Sequence, residues 1–298
     1  MPFRLLVLLS LLFSLPAAAG PEAWSCRPDG GVHSVKTVLA GVPAIVRIPA
    51  AIARPPILLW HGFGPPASEA ALEAALPLDG VPALKIYLGL PLFGDRAPKD
   101  GEMTLADRQT TDYGLLLFRP AVMGAAEELP AVLVSLREHG CLHAGEPIGL
   151  FGFSASGAAV LAALAEHRVP VAAAVLVNPA IGLSGGVAAL ERALKRPYGW
   201  TPESRDLAKR SDAIGRAAAI TEGNPPPALL TIAGTADSVV SADDARDLDR
   251  ALRPFYRATR QEERLKLAEI AGLGHDWTAP SAREGLNELI TDWFERYR

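Results

Sequence analysis

The sequence predicts an α/β protein: a mostly parallel central sheet with helices on both faces and an antiparallel hairpin at its start. Short apolar runs recur at 57–60, 83–90, 147–153, 171–177, 229–233 and 265–270, the composition of strands buried between two layers. Amphipathic stretches with helix-capping residues lie between them, and this alternation marks a parallel sheet. The 298 residues are 49% hydrophobic and 21% charged, which suits one sizeable domain and shows no bias toward disorder.

Each element has its own signal. Val32 to Leu39 and Val42 to Ile48, joined by Ala40-Gly41, read as the hairpin. Pro55-Pro56 opens the strand 57–60, which ends in His61-Gly62-Phe63-Gly64-Pro65-Pro66, a loop that cannot continue a strand. Ser68 caps a helix whose Leu72, Ala75 and Leu76 share a face. Ala83 to Leu90 is the next strand, followed by a polar loop to about Asp112. A long helix is expected over 121–139, with Leu129, Val132, Leu133 and Leu136 at helical spacing and Pro130 as a kink. The strand 147–153 runs straight into a helix over 155–167, and the strand 171–177 ends in Asn178-Pro179-Ala180. After the strand 229–233, a capping box from Ser241 to Asp244 opens a helix over 242–252. Leu265 to Ile270 is the last strand. A second capping box, Ser281 to Glu284, starts a terminal helix that aligns Leu286, Leu289, Ile290, Trp293, Phe294 and Tyr297. The sequence contains no internal repeat and no low-complexity segment.

The N-terminus sets the compartment. Met1-Pro-Phe-Arg, the apolar stretch Leu5 to Leu15 and the A-x-A end at 17–19 form a signal peptide over residues 1–19, so the mature chain is expected to be secreted or periplasmic. The apolar core is too short to span a bilayer, which needs about 18 residues. Removing 1–19 leaves 28 basic against 33 acidic side chains, and no basic patch argues for nucleic acid or an anionic membrane. Cys26 and Cys141 would then sit in an oxidising compartment and are expected to form a disulfide. Neither has a metal-ligand neighbour at C-x-x-C spacing, and no metal or cofactor is expected.

The chemistry concentrates at Gly152-Phe-Ser154-Ala-Ser156-Gly157, where a strand meets a helix with a serine at the apex. A serine hydroxyl is a weak nucleophile, so an enzyme that uses one exposes it on a strained turn near a base and backbone N–H donors. Small residues must flank that turn, and the pattern G-x-S-x-G is met except that Ser156 replaces the second glycine. Phosphate-loop spacing is also present, but Ala158 and Ala159 stand where Lys and Ser/Thr would be required. Ser156 lies one turn into the helix and lacks a glycine two residues before it, and an ordinary N-cap serine is the bland alternative. Ser154 is the candidate nucleophile.

Its partners follow from chain order. A serine needs a base, normally histidine, and the histidine a carboxylate that fixes its tautomer. In folds with this elbow the order is Ser, acid, His, and of the six histidines only His275 follows both the serine and the last strands, in the loop Ala271-Gly-Leu-Gly-His275-Asp-Trp. Asp237 follows the strand 229–233 directly, whereas Asn178, at the same place one strand earlier, cannot act as an anion. Asp243 and Asp244 suit a helix N-terminus, and Asp276 adjoins the histidine it would have to face. Ala155 offers one oxyanion-hole N–H. Phe63 is the choice for the second, with His61 orienting its loop.

With these motifs in place the chain resembles an α/β-hydrolase. The His-Gly loop (61–62), the elbow (152–157), the Gly-Thr-Ala-Asp turn (234–237) and the Gly-Leu-Gly-His-Asp loop (272–276) occur in the family's order across about residues 32–298. The resemblance implies Ser154 as nucleophile, Asp237 as acid, His275 as base, and the amides of Phe63 and Ala155 as oxyanion hole. It leaves the substrate open, because the fold hosts many chemistries. Cleavage of small-molecule carboxylic esters through an acyl-enzyme is the leading expectation; peptide hydrolysis or acyl transfer would use the same residues, and a non-catalytic binding protein on the same scaffold is the alternative from another class. A small cap is expected at about 181–226, with Tyr198 and Trp200 as candidate pocket residues and a preference for short acyl groups.

Overall fold

The computed structural model describes residues 24–297, so the signal-peptide reading of 1–19 lies outside the described residues. An eight-stranded sheet forms the centre, in the order β1-β2-β4-β3-β5-β6-β7-β8. β1 (His33–Leu39) and β2 (Val42–Ile48) make the expected hairpin, and both linker residues, Ala40 and Gly41, have positive φ (50° and 85°), as a two-residue hairpin turn requires. β2 runs antiparallel to β4 (Lys85–Leu88). From there on the sheet is parallel through β3 (Ile57–Trp60), β5 (Ile148–Phe153), β6 (Val171–Val177), β7 (Ala228–Gly234) and β8 (Leu265–Ile270).

Alternate side chains of each central strand point to opposite faces, which explains the unbroken apolar runs. Leu58, Trp60, Leu150, Leu176 and Leu229 join one core. It is closed by α3 (Gly124–Glu138), α4 (Ala155–Glu166) and α8 (Ala242–Ala258). Ile57, Leu59, Phe151, Phe153, Val175 and Ile232 join the other, closed by α1 (Glu69–Ala75) and α9 (Pro280–Arg296). Residues 155–165 of α4 are buried without exception, and their alanine-rich composition lets that helix lie close between its neighbours.

Four local expectations need correction. The stretch read as a polar loop contains α2 (Gly101–Asp112), a helix with no buried residue and hence no apolar stripe to betray it. The helix expected from 121 begins earlier: Tyr113–Met123 is wound as a π-helix carrying Pro120 and continues into α3, where Pro130 lies. The wider winding suits a proline, which has no N–H for the regular ladder. α8 runs on through Pro254 to Ala258 instead of ending at 252. α9 starts at Pro280 with Ala279 as its cap residue, so the helix opens one residue before the expected Ser281, on a proline in its first turn.

Between β6 and β7 the chain forms α5 (Leu183–Leu194), α6 (Pro202–Ser211) and α7 (Ala217–Ile220). The expected disulfide is present: Cys26 and Cys141 are bridged, with Cα atoms 5.1 Å apart. Trp24 stacks on His139 beside it, ring centroids 4.3 Å apart. Among the described residues no helix is long and apolar enough to cross a membrane.

Candidate active site

β5 delivers Ser154 to the C-terminal edge of the sheet, and α4 begins at the next residue. The turn holds Ser154 at φ 55°, ψ −122°, a conformation costly for a residue with a Cβ and typical of sites where the surroundings impose strain. The backbones are close enough to demand glycine. A Cβ on Gly152 would come 2.5 Å from Ser156 O, and one on Gly157 would come 2.4 Å from Pro179 Cβ. Ser156, the departure from the elbow pattern, is fully buried. Its Oγ accepts from Phe153 N–H at 2.9 Å and lies 2.9 Å from both Trp60 O and Phe153 O, so its single proton ties the elbow to the end of β3 or to the elbow itself.

Ser154 Oγ lies 2.9 Å from His275 Nε2, and His275 Nδ1 lies 2.7 Å from Asp237 Oδ2. The carboxylate fixes the tautomer: Nδ1–H donates to Asp237, which leaves Nε2 free to accept the serine proton. Asp237 is anchored in turn, Oδ1 accepting from Val239 N–H at 2.8 Å and Val240 N–H at 2.9 Å, and its side chain is only 1% exposed. The imidazole ring rests on Phe153, centroids 5.2 Å apart. Asp276 turns away to Thr278, whose N–H and hydroxyl its Oδ1 accepts, and these bonds hold its carboxyl below the usual range.

The loop after β3 passes directly over the serine: a Cβ on Gly62 would meet the Phe153 ring at 2.8 Å and Ser154 Cβ at 3.1 Å. His61 is buried and neutral, its pKa pushed down to about 4 by burial. Nδ1–H donates to Gly62 O at 2.7 Å, and Nε2 accepts from Leu90 N–H at 3.3 Å. Because a trans peptide sends C=O and N–H in opposite directions, fixing Gly62 O on His61 turns Phe63 N–H the other way. The N–H of Ala155, first residue of α4, has no acceptor within its helix. The Phe63 ring is stacked on Phe93, centroids 4.8 Å apart.

Tyr198 and Trp200 pack edge to face, centroids 4.9 Å apart. Tyr198 OH donates to Asp112 Oδ1 and its N–H to Glu191 Oε1 at 2.8 Å, so the pair stands at the seam between the 101–123 arm and the β6–β7 connection. Asn178 is buried between the loops carrying Asp237 and His275, and its only sequence signal was an amide at a strand end where an acid would otherwise stand.

A parallel sheet of this order with a serine elbow after β5 is the α/β-hydrolase fold, and this chain has it. Comparison with known proteins supports that assignment at the level of fold. No protein-family model matches the chain, and no curated protein does. Among solved structures, TT1662 of Thermus thermophilus superposes with a TM-score of 0.66 at 23% identity, covering 89% of this chain and 98% of that one. Porphyromonas gingivalis dipeptidyl peptidase 4 gives 0.59 at 14% identity, covering 90% of this chain but only 35% of the peptidase. An esterase of the bacterial hormone-sensitive lipase family gives 0.55 at 20% identity, covering 91% and 86%.

Proposed function

We propose that the protein is an exported serine hydrolase that cleaves small carboxylic esters through an acyl-enzyme intermediate. The observation that carries this reading is the unbroken hydrogen-bonded line from Ser154 Oγ through His275 to Asp237 at the tip of a strained elbow. In the reading, His275 Nε2 takes the Ser154 proton as Oγ attacks the ester carbonyl carbon, and the Phe63 and Ala155 N–H groups receive the oxyanion. The N-terminus of α4 adds its dipole at the same point. His275 then gives the proton to the departing alkoxide, the alcohol leaves, and Ser154 carries the acyl group. Water, deprotonated by His275, releases the acid and restores the serine.

Peptide hydrolysis is the second reading, because peptidases stand among the structural neighbours. The chain spans 35% and 39% of those two peptidases, whereas it covers 86% of the esterase, so the ester reading is favoured. Export is supported by the disulfide and by the first 19 residues. The preference for short acyl groups rests on reading residues 181–226 as a small cap, a reading that fits their bonds to the 101–123 arm, Tyr198 to Asp112 and Arg196 Nη2 to Thr110 O at 2.8 Å.

p-Nitrophenyl esters of graded acyl length, assayed beside amide substrates and with Ser154→Ala as control, test the reading. Activity on esters should peak at about two to six carbons, each buried methylene adding up to about 0.8 kcal/mol until the pocket ends. Turnover of amides alone would make the protein a peptidase, and a steady climb to twelve-carbon chains with a rise at lipid interfaces would make it a lipase.

A further inference from the structure

Asn178 stands at the end of β6, 2% exposed, with φ 44°, a left-handed conformation that asparagine tolerates better than most side chains. Its N–H donates to Ile232 O of β7 at 2.8 Å. Its amide faces both loops of the triad. Oδ1 accepts from Gly234 N–H at 2.8 Å, at the head of the turn that carries Asp237. Nδ2–H groups donate to Gly274 O at 2.8 Å and His275 O at 3.4 Å, on the loop that carries the imidazole. The same strand end also holds the elbow, since Ser154 N–H donates to Val177 O at 3.0 Å and Ala180 N–H to Ser154 O at 2.9 Å.

We propose that Asn178 is a positioning residue of the triad, an amide clamp that keeps the acid turn, the histidine loop and the serine elbow in mutual register. The inference rests on the serine-hydrolase reading. Beside the His275–Asp237 bond itself, backbone N–H groups tie the same loops, Ala236 N–H to Leu273 O at 3.0 Å and Gly272 N–H to Thr235 Oγ1 at 3.1 Å. They anchor residues 272 and 273, whereas Asn178 reaches the carbonyls of Gly274 and His275 themselves. The chemistry calls for an amide: the site offers one backbone donor on one side and two carbonyl acceptors on the other, and an ionised aspartate could satisfy only the donor. A loss of this clamp would let the imidazole drift from the line between Ser154 and Asp237, where displacements of an ångström are costly to rate.

Asn178→Ala and Asn178→Asp are to be compared with wild type for p-nitrophenyl acetate hydrolysis, below every melting transition, with the folded fraction read by circular dichroism and Ser154 reactivity by a fluorophosphonate label. Alanine should lower kcat about 10- to 100-fold with KM little changed. Aspartate keeps the side-chain shape and the bond from Gly234 N–H but sets a negative charge against two carbonyls. It should lower kcat similarly and move the acid limb of kcat/KM to higher pH, because the new charge adds to that of Asp237, which is bonded to His275, and of Asp276, which adjoins it in the chain. A purely structural asparagine would lower the melting temperature and leave kcat and the acid limb unmoved in the folded fraction, which overturns the proposal. Should the alanine variant fail to fold, the isosteric aspartate variant decides. A wild type inert to both ester and label overturns the hydrolase reading and the clamp with it, whereas an active wild type with unchanged variants overturns the clamp alone.

Discussion

Ser154 and Ser156 are two residues apart and do opposite work. Ser154 offers its hydroxyl to His275, while Ser156 spends its own on the backbone of Phe153 and the end of β3. Ser154→Ala should therefore abolish ester turnover with the melting transition intact. Ser156→Ala should cost about 1–3 kcal/mol in denaturant unfolding, the consequence of stranding buried backbone groups, while the folded fraction keeps most of its kcat. The reverse pattern would place the elbow one turn out of register. His61 supplies a pH signature. Its pKa is about 4 folded against 6.5 in a free chain, so between those values the unfolded state binds a proton that the folded state does not. Stability should fall as pH drops from 6.5 toward 4, by up to about 3 kcal/mol from this group. The melting temperature measured across that window should show the slope, and His61→Gln should flatten it.

Among the elements, β4 carries the least expected residue. Lys85 is fully buried, and its Nζ donates to Val81 O at 3.1 Å. Burial pulls its pKa down to about 8, partly offset by the Asp79 carboxylate. Between 8 and the free value of 10.5 the unfolded chain holds a proton that the folded chain has lost, so stability should rise with pH through that window; below 8 the cost of the buried ammonium stands in full. Lys85→Met should raise stability at pH 7 by about 2 kcal/mol and remove the alkaline slope, both measurable by urea unfolding. α2 makes the contrasting case: a helix with no fully buried residue, with Leu105 packed against the core, held by its junction with the π-wound segment and by the bonds of Thr110 and Asp112 to the β6–β7 connection.

For the molecule as a whole, the Cys26–Cys141 bridge ties the start of the described chain to the residue just beyond α3, across 115 positions. Closing so long a loop removes entropy from the unfolded chain worth about 5 kcal/mol at most. Cys26→Ser with Cys141→Ser should lower the melting temperature by up to roughly 10 °C, read by scanning calorimetry. Mass spectrometry without reductant should find no free thiol. Retention of the full melting temperature by the double variant would show that packing of Trp24 on His139 alone secures this segment.

The sheet, its hairpin and the three loops bearing Ser154, Asp237 and His275 could be read from the chain because each is announced locally: apolar runs of strand length, a two-residue turn, glycines where backbones converge. Chain order then matched acid and base to serine, and the folded structure places the three within hydrogen-bond distance. α2 and the π-wound Tyr113–Met123 escaped because neither carries a plain apolar stripe at regular helical spacing. Asn178 and Ser156 escaped for a different reason. Their hydrogen bonds reach Gly234, Gly274 and Trp60, residues 56, 96 and 96 positions away, which become neighbours through a sheet whose strand order departs from chain order. Side-chain identity shows what a residue can donate or accept, but which backbone group it meets depends on the crossing of β3, β5, β6 and β7, and that is settled by packing across the whole core.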